Sequence, residues 1–297
     1  MKYTIEMSVR GAAAEPAHVI AVAQAAERAG FAMLGYTDHP APSAKWLRGG
    51  GHATFDPFAG LAFLAASTER IRLMTYLAVL PYRNPLLLAR SVATVDRLSG
   101  GRFTLVAGTG YLRSEFSALG TSFDERNDRF DETIEVLRTA FTDDEFVFEG
   151  SDFRALGVQF EPKPVQLPHP PIWIGGSSRT SRERVARYGT GWAPLRTRAG
   201  SAQVVRTAPM ETIDDLDRNI EELHDMLRAE GRDPSSVAIH MEGLGFLDRP
   251  SDEVLEDSEV LEEHGVTHAV LRPPAGDREI VVDAIDRFGA EVIATTT

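Results

Sequence analysis

The sequence predicts a (β/α)8 TIM barrel, read as one domain over residues 1–297. Three observations carry that expectation. Short apolar runs rich in β-branched residues alternate with helical patterns to the end of the chain, as in a parallel sheet. The strand–helix unit recurs eight times, with insertion segments near 40–55 and 146–165. No low-complexity linker divides it. An open doubly wound sheet is the alternative with the same alternation.

The elements follow in order. Residues 3–9 form the first strand. Pro16 suits a first helical position, Ile20, Ala23 and Ala26 give its helix an apolar face, and Gly30 stops it. Residues 31–36 are the second strand. Asp56-Pro57 opens a helix running to Ser67, and residues 71–80 read as a buried third strand, unbroken until Pro81. Pro85 starts a helix faced by Leu88, Val92, Val95 and Leu98, ended by Ser99-Gly100-Gly101. Residues 103–107 are the fourth strand. Phe130, Ile134, Leu137 and Phe141 mark an amphipathic helix. Residues 146–160 look like a hairpin turning at Glu149-Gly150-Ser151-Asp152, followed by extended Pro162-Lys163-Pro164. The fifth strand is 172–174, with a helix over 178–188. The sixth is 192–195, with a helix faced by Ile213, Leu216, Ile220, Leu223 and Leu227. The seventh is 237–246, with a helix near 252–264. The eighth is 267–271, with a helix over 278–288.

Composition narrows the function. A net charge of −13 with scattered arginines argues against a nucleic-acid face, which needs clustered Lys and Arg. The chain has no cysteine, which excludes disulfides, thiolate metal sites and a cysteine nucleophile. The start has no secretory pattern and no apolar run reaches membrane-spanning length, so a cytoplasmic protein is expected. No metal-ligand spacing such as HExxH appears, and no metal is expected.

In a barrel, chemistry sits at the C-terminal ends of the strands. Those ends carry Thr37-Asp38-His39; Leu80-Pro81-Tyr82-Arg83-Asn84; Gly108-Thr109-Gly110-Tyr111; Gly175-Gly176-Ser177-Ser178; Arg196; and Arg272-Pro273-Pro274. Gly108-Thr109-Gly110 is not a dinucleotide fingerprint, because Arg113 holds the last glycine position. It reads either as a tight turn or as a close approach to a flat or phosphorylated ligand. Gly175-Gly176-Ser177-Ser178 precedes a helix, so it reads either as an anion site or as a serine N-cap. His39 is either a proton-exchanging group near neutral pH or a hydrogen-bonded loop histidine. Arg83 and Asn84 read as helix caps or partners of acids, and mid-strand Tyr76 as core.

Taken together, the motif string resembles the luciferase-like monooxygenase family. It runs through Thr37-Asp38-His39, Ser67-Thr68-Glu69-Arg70-Ile71-Arg72-Leu73, Val79-Leu80-Pro81-Tyr82-Arg83-Asn84-Pro85 and Asp96-Arg97-Leu98-Ser99-Gly100-Gly101-Arg102-Phe103. It continues in Gly108-Thr109-Gly110-Tyr111, Glu115-Phe116, Pro162-Lys163-Pro164-Val165-Gln166, Pro170-Pro171-Ile172-Trp173-Ile174-Gly175-Gly176-Ser177 and Ala186-Arg187-Tyr188-Gly189-Thr190-Gly191-Trp192. Within that family it is most similar to the branch using coenzyme F420, a 5-deazaflavin.

The resemblance implies a hydride-transferring oxidoreductase acting on a small organic substrate. It implies a ring across the barrel mouth, backed by Tyr76, Leu77, Ala78 and Val79, with a non-proline cis peptide at Tyr76-Leu77. Asp38, His39, Thr109, Gly110 and Tyr111 are then expected beside the cofactor, and Gly175, Gly176, Ser177, Ser178 and Ser181 around its phosphate. His39 is the expected proton donor, with Trp46 and His52 in a lid. Thr109 stands where some flavin-using relatives place an arginine, which leans toward F420. An FMN-dependent monooxygenase needing a separate reductase is the alternative, and a non-catalytic cofactor-binding relative a third. A homodimer is expected, since relatives are often dimers.

Overall fold

The computed structural model describes residues 1–295 apart from 8, 10, 152, 199, 201 and 203–205. Its strands are β1 (Lys2–Glu6), β2 (Met33–Tyr36), β3 (Arg72–Thr75), β4 (Ala78–Val79), β5 (Phe103–Gly108), β6 (Phe146–Glu149), β7 (Arg154–Val158), β8 (Ile172–Gly175), β9 (Gly191–Ala193), β10 (Ala238–Phe246) and β11 (His268–Arg272). β3 and β4 are two halves of the third strand, interrupted at a cis Tyr76–Leu77 peptide, as the resemblance implies. Each barrel strand pairs in parallel with its neighbours. β3 pairs with β5, Leu73 opposite Phe103, which closes the ring into an eight-stranded barrel.

The helices are α1 (Pro16–Ala29), α2 (Ala44–Arg48), α3 (Pro57–Ala65), α4 (Pro85–Leu98), α5 (Arg113–Ala118), α6 (Arg126–Thr142), α7 (Arg179–Tyr188), α8 (Ile213–Ala229), α9 (Ser251–Glu263) and α10 (Arg278–Glu291). Their starts follow local chemistry. Prolines open α1, α3 and α4, where the missing N–H costs nothing. Asp56 and Asn84 accept from first-turn amides of α3 and α4. No described helix is long and apolar enough to cross a membrane.

Side chains alternate across each strand, and this sorts the core. Tyr3 faces outward, its ring 5.1 Å from that of Phe288 on α10. Thr4 and Glu6 face the barrel axis, where Thr4 meets His240 and Glu6 meets Arg272. A lower layer of the interior holds Met33, Met74, Val106, Trp173, His240 and His268. The layer above it, at the mouth, is polar: Glu6, Tyr76, Glu242 and Arg272.

Several expectations shift. β1 ends at Glu6; Ser8 and Asp152, within the expected first strand and hairpin turn, lie outside the described residues. The sixth strand stops at Ala193 because Pro194 has no N–H to give a ladder. α2 and α5 were not expected; at five and six residues they are too short for an apolar period to show.

Candidate active site

His39 follows β2 and leans over the barrel mouth. Its Nδ1 lies 3.2 Å from Oε2 of Glu115, whose carboxylate is fully buried. Glu115 also accepts from the Tyr82 hydroxyl at 2.9 Å and from the Ala41 amide at 3.2 Å. A carboxylate accepts, so His39 Nδ1 is the donor, which leaves Nε2 as the ring nitrogen not engaged by Glu115. The His39 ring lies 4.5 Å from Trp46, 5.1 Å from His52 and 6.1 Å from Tyr111. α2 presents Trp46, and His52 is tied to the Thr37 hydroxyl at 2.9 Å. Burial, with Glu115 nearby, pushes the Tyr111 phenol up to about 12, so it stays protonated.

Asp38 points the other way. It accepts from the Val79 amide at 2.9 Å and clamps the Arg83 guanidinium with both oxygens. Arg83 also reaches Asp56 at 3.2 Å. Asp38 therefore anchors the chain just past the cis peptide, and its carboxylate is spent on that anchoring.

Leu77 projects between two barrel glycines. A Cβ on Gly108 would sit 2.4 Å from Leu77 Cδ1, and one on Gly175 2.2 Å from Cδ2. Ala78 is wholly buried, paired with Ala107. Tyr76 donates to Glu242 Oε1 at 3.1 Å, and burial beside Glu242 and Glu6 pushes its phenol well above the ordinary value. Burial also raises the Glu6 carboxyl, while Arg272 pulls it back. Gly110 turns with φ +76°, and a Cβ there would lie 2.6 Å from Val79 Cγ1. Thr109 and Tyr111 flank it, half-buried.

At the end of β8, Gly176 adopts φ +99°, and a Cβ there would lie 3.0 Å from Ser181 Oγ. Ser178 caps α7, accepting from the Ser181 amide at 3.1 Å, with the two hydroxyls 3.0 Å apart. Gly176, Ser178 and Ser181 thus leave a small cradle of hydroxyls at a helix start, which suits a phosphate. Ser177 is different: it is fully buried, and its hydroxyl both donates to and accepts from Leu195. It locks the turn beneath that cradle. The donor set fits a phosphate-tailed flavin or deazaflavin.

A cavity of about 480 Å³ opens beside His52, between the ends of β1, β10 and β11. A larger groove, about 820 Å³, lies on the outer flank between α6, the β6–β7 hairpin and α7. His39, the glycine turns and the polar layer converge at the mouth.

Sequence reading thus located the strand ends and named Glu115 and Tyr82 in the motif string, but gave neither a role at the site. Glu115 lies 76 residues from His39, and only barrel closure joins them. Its one local signal is an acid set beside an apolar Phe116 just past the Gly110 turn.

Comparison with known proteins identifies the family. Residues 3–282 match the family described as luciferase-like monooxygenase. The FMNH(2)-dependent dimethylsulfone monooxygenase of Pseudomonas putida is 37% identical over 42% of this chain and 35% of its own. The F420-dependent hydroxymycolic acid dehydrogenase of Mycobacterium tuberculosis is 34% identical over 59% of this chain and 48% of its own. The match therefore spans less than two thirds of either relative. The crystal structure of monooxygenase RslO1 from Streptomyces bottropensis superposes with a TM-score of 0.85 over 100% of both chains, at 22% identity, which speaks for the fold. With the family match running over nearly the whole chain, this protein belongs to the luciferase-like monooxygenase family.

Proposed function

We propose that this protein is an F420-dependent oxidoreductase that moves a hydride between the deazaflavin and a small organic substrate, with His39 handling the accompanying proton. The observation that carries the proposal is the His39–Glu115 pair. Glu115 holds Nδ1 and leaves Nε2 as the group able to take or return a substrate proton. Glu115 is a positioning residue, since Tyr82 and the Ala41 amide fix it in turn. Trp46 and His52 crowd the ring and keep water from it. Gly176, Ser178 and Ser181 would hold the phosphate, and Leu77 and Thr109 would border the ring. When bound, the deazaflavin supplies hydride exchange at its C5. An FMN-dependent monooxygenase is the second reading, favoured by the FMNH(2)-dependent relative.

Titration of tryptophan fluorescence with F420 and with FMN separates the two readings. Tighter binding of FMN overturns the first. His39→Ala should lower turnover roughly 100-fold or more while leaving cofactor affinity within a few fold. Glu115→Gln should lower kcat with a smaller effect on KM. Equal losses of turnover and affinity in His39→Ala would mean that the histidine binds cofactor and moves no proton.

A further inference from the structure

We propose that Arg113, Arg126 and Arg206 form an oligoanion subsite beside the Gly176–Ser178–Ser181 cradle, which takes a chain bearing two or more carboxylate or phosphate groups. It rests on the oxidoreductase reading only for which molecule carries those groups.

The three guanidiniums converge on one ring. Their central carbons lie 4.1, 4.0 and 5.0 Å from the centroid of Phe123. Each pair is therefore closer than a Debye length, ~10 Å at 0.1 M salt, and repels. The ring face attracts each cation but leaves the charge in place. Phe123 is buried, and its ring packs edge-on 5.1 Å from Phe116, which lies against the Gly110 turn. On the other side Thr207, next in the chain after Arg206, accepts from the Ser177 amide at 2.9 Å. The cluster thus bridges the two glycine turns, one of which carries the hydroxyl cradle.

The charge around it points to an anionic occupant. The chain has a net charge of −13, so three arginines gathered on one ring run against its composition. Among the described residues the acid set against them is Asp124, which reaches Arg113 at 3.1 Å and is itself 82% exposed. A pair so exposed neutralises little. Burial, then Arg206 and Arg113, hold the Arg126 guanidinium below its ordinary value, and Asp124 restores only part of that. Arg113 and Arg126 are also the first residues of α5 and α6, and a helix start disfavours a cation.

An oligoanion removes this repulsion. Each guanidinium can give a carboxylate or phosphate two parallel N–H bonds. Arg113 and Arg206 are exposed, so a ligand can reach them from solvent. A single carboxylate engages one part of the cluster. A chain of several engages all of it, because its second charge arrives already tethered.

Binding of tricarballylate and of acetate to the cofactor-free full chain is measured by isothermal titration calorimetry at low salt. Tricarballylate should bind at least about tenfold tighter than acetate. Arg126→Gln and Arg206→Gln should each weaken tricarballylate about fivefold to tenfold. F420 and FMN then separate the source of the charges, since both carry a phosphate and only F420 carries carboxylates beyond it. A loss of about tenfold in F420 affinity in the variants, with FMN within about twofold, assigns the subsite to the cofactor's own extension. Weaker tricarballylate with both cofactors unchanged assigns it to a free oligoanion. Either result supports the subsite, and the retained FMN affinity shows that the variants are folded. Tricarballylate binding no tighter than acetate overturns the proposal, as does unchanged tricarballylate affinity in both variants. So does an equal loss of F420 and FMN, which would make the arginines part of the phosphate cradle. Tighter binding of FMN than of F420 by the unmodified protein would fail the F420 reading and leave the tricarballylate result standing.

Discussion

Acidification should weaken this fold well before its surface carboxylates titrate, and the cause is a pair of histidines inside the barrel. His240 is fully buried between Tyr76, Trp173 and His268, with ring separations of 5.2, 5.4 and 6.1 Å. Its Nε2 meets the Thr4 hydroxyl at 3.1 Å, and its Nδ1 has no partner among the described residues. Burial, then the neighbouring His268, lowers its pKa to about 3. Burial, then the positive charge of Lys2 and the N-terminus, lowers that of His268 to about 4. In the unfolded chain both titrate near ~6.5. Between those values the unfolded state binds more protons than the native state, so stability rises with pH and is lost on acidification. The window opens near pH ~6.5 and runs down to the folded values. At pH ~5 each histidine costs about 2 kcal/mol relative to pH ~7.5, about 4 kcal/mol for the pair. That is a large part of the ~5–15 kcal/mol typical of a folded domain.

Urea unfolding of the unmodified protein and of His240→Phe at the two pH values isolates the effect. The phenylalanine leaves the Thr4 hydroxyl without its partner, but that cost is the same at both pH values and cancels. The fall in stability on going to pH ~5 should be smaller in His240→Phe by about 2 kcal/mol. A fall equal in both proteins, within roughly 0.5 kcal/mol, would refute a neutral buried His240. Carboxylates elsewhere titrate alike in the two proteins and drop out of the comparison.

Two further outcomes follow from backbone and cap geometry. Gly176→Ala puts a Cβ 3.0 Å from Ser181 Oγ on a residue at φ +99°; it should cost about 1–2 kcal/mol by thermal unfolding and lower affinity for the phosphate-bearing cofactor, but not for a phosphate-free analogue such as riboflavin. Arg102→Met should cost about 3 kcal/mol in urea unfolding with cofactor affinity unchanged, because Arg102 donates to the carbonyls of Ala65, Thr68, Ile71 and Ser99 and lies far from the mouth.

The barrel was legible because each strand–helix unit carries its own punctuation. Pro16, Pro57 and Pro85 start helices at a position where proline is favoured, and Gly30 ends the first of them and Gly100 and Gly101 the last with positive φ. The site was legible only as a set of strand ends. Which of those residues point into the mouth depends on contacts between distant units. Asp38 and His39 are adjacent in sequence, yet one clamps Arg83 and the other meets Glu115. Much of the motif string that carries the family resemblance turns out to hold the frame. Asp96 accepts from the amides of Val165 and Gln166 and from the Gln166 side chain, joining α4 to the segment before β8. Arg102 staples the end of α3 to the turn after α4.

The glycine turns show why a motif of this kind resists reading from sequence. Each turn contains two glycines with different jobs. Gly108 and Gly175 are the last residues of their strands, and alternation aims their missing side chains at the barrel axis. Leu77 fills the space they leave, so any larger residue there displaces Leu77 from beneath the mouth. Gly110 and Gly176 lie past the strand ends, at φ +76° and +99°, where the backbone itself turns. Gly176 opens onto the Ser178–Ser181 hydroxyls, whereas Gly110 packs on Val79 and Phe116. Of four glycines that look alike in sequence, two shape the floor, one turns the chain and one borders the cradle. Strand face, fixed by barrel register, decides the first two, and the packing past the strand ends decides the others.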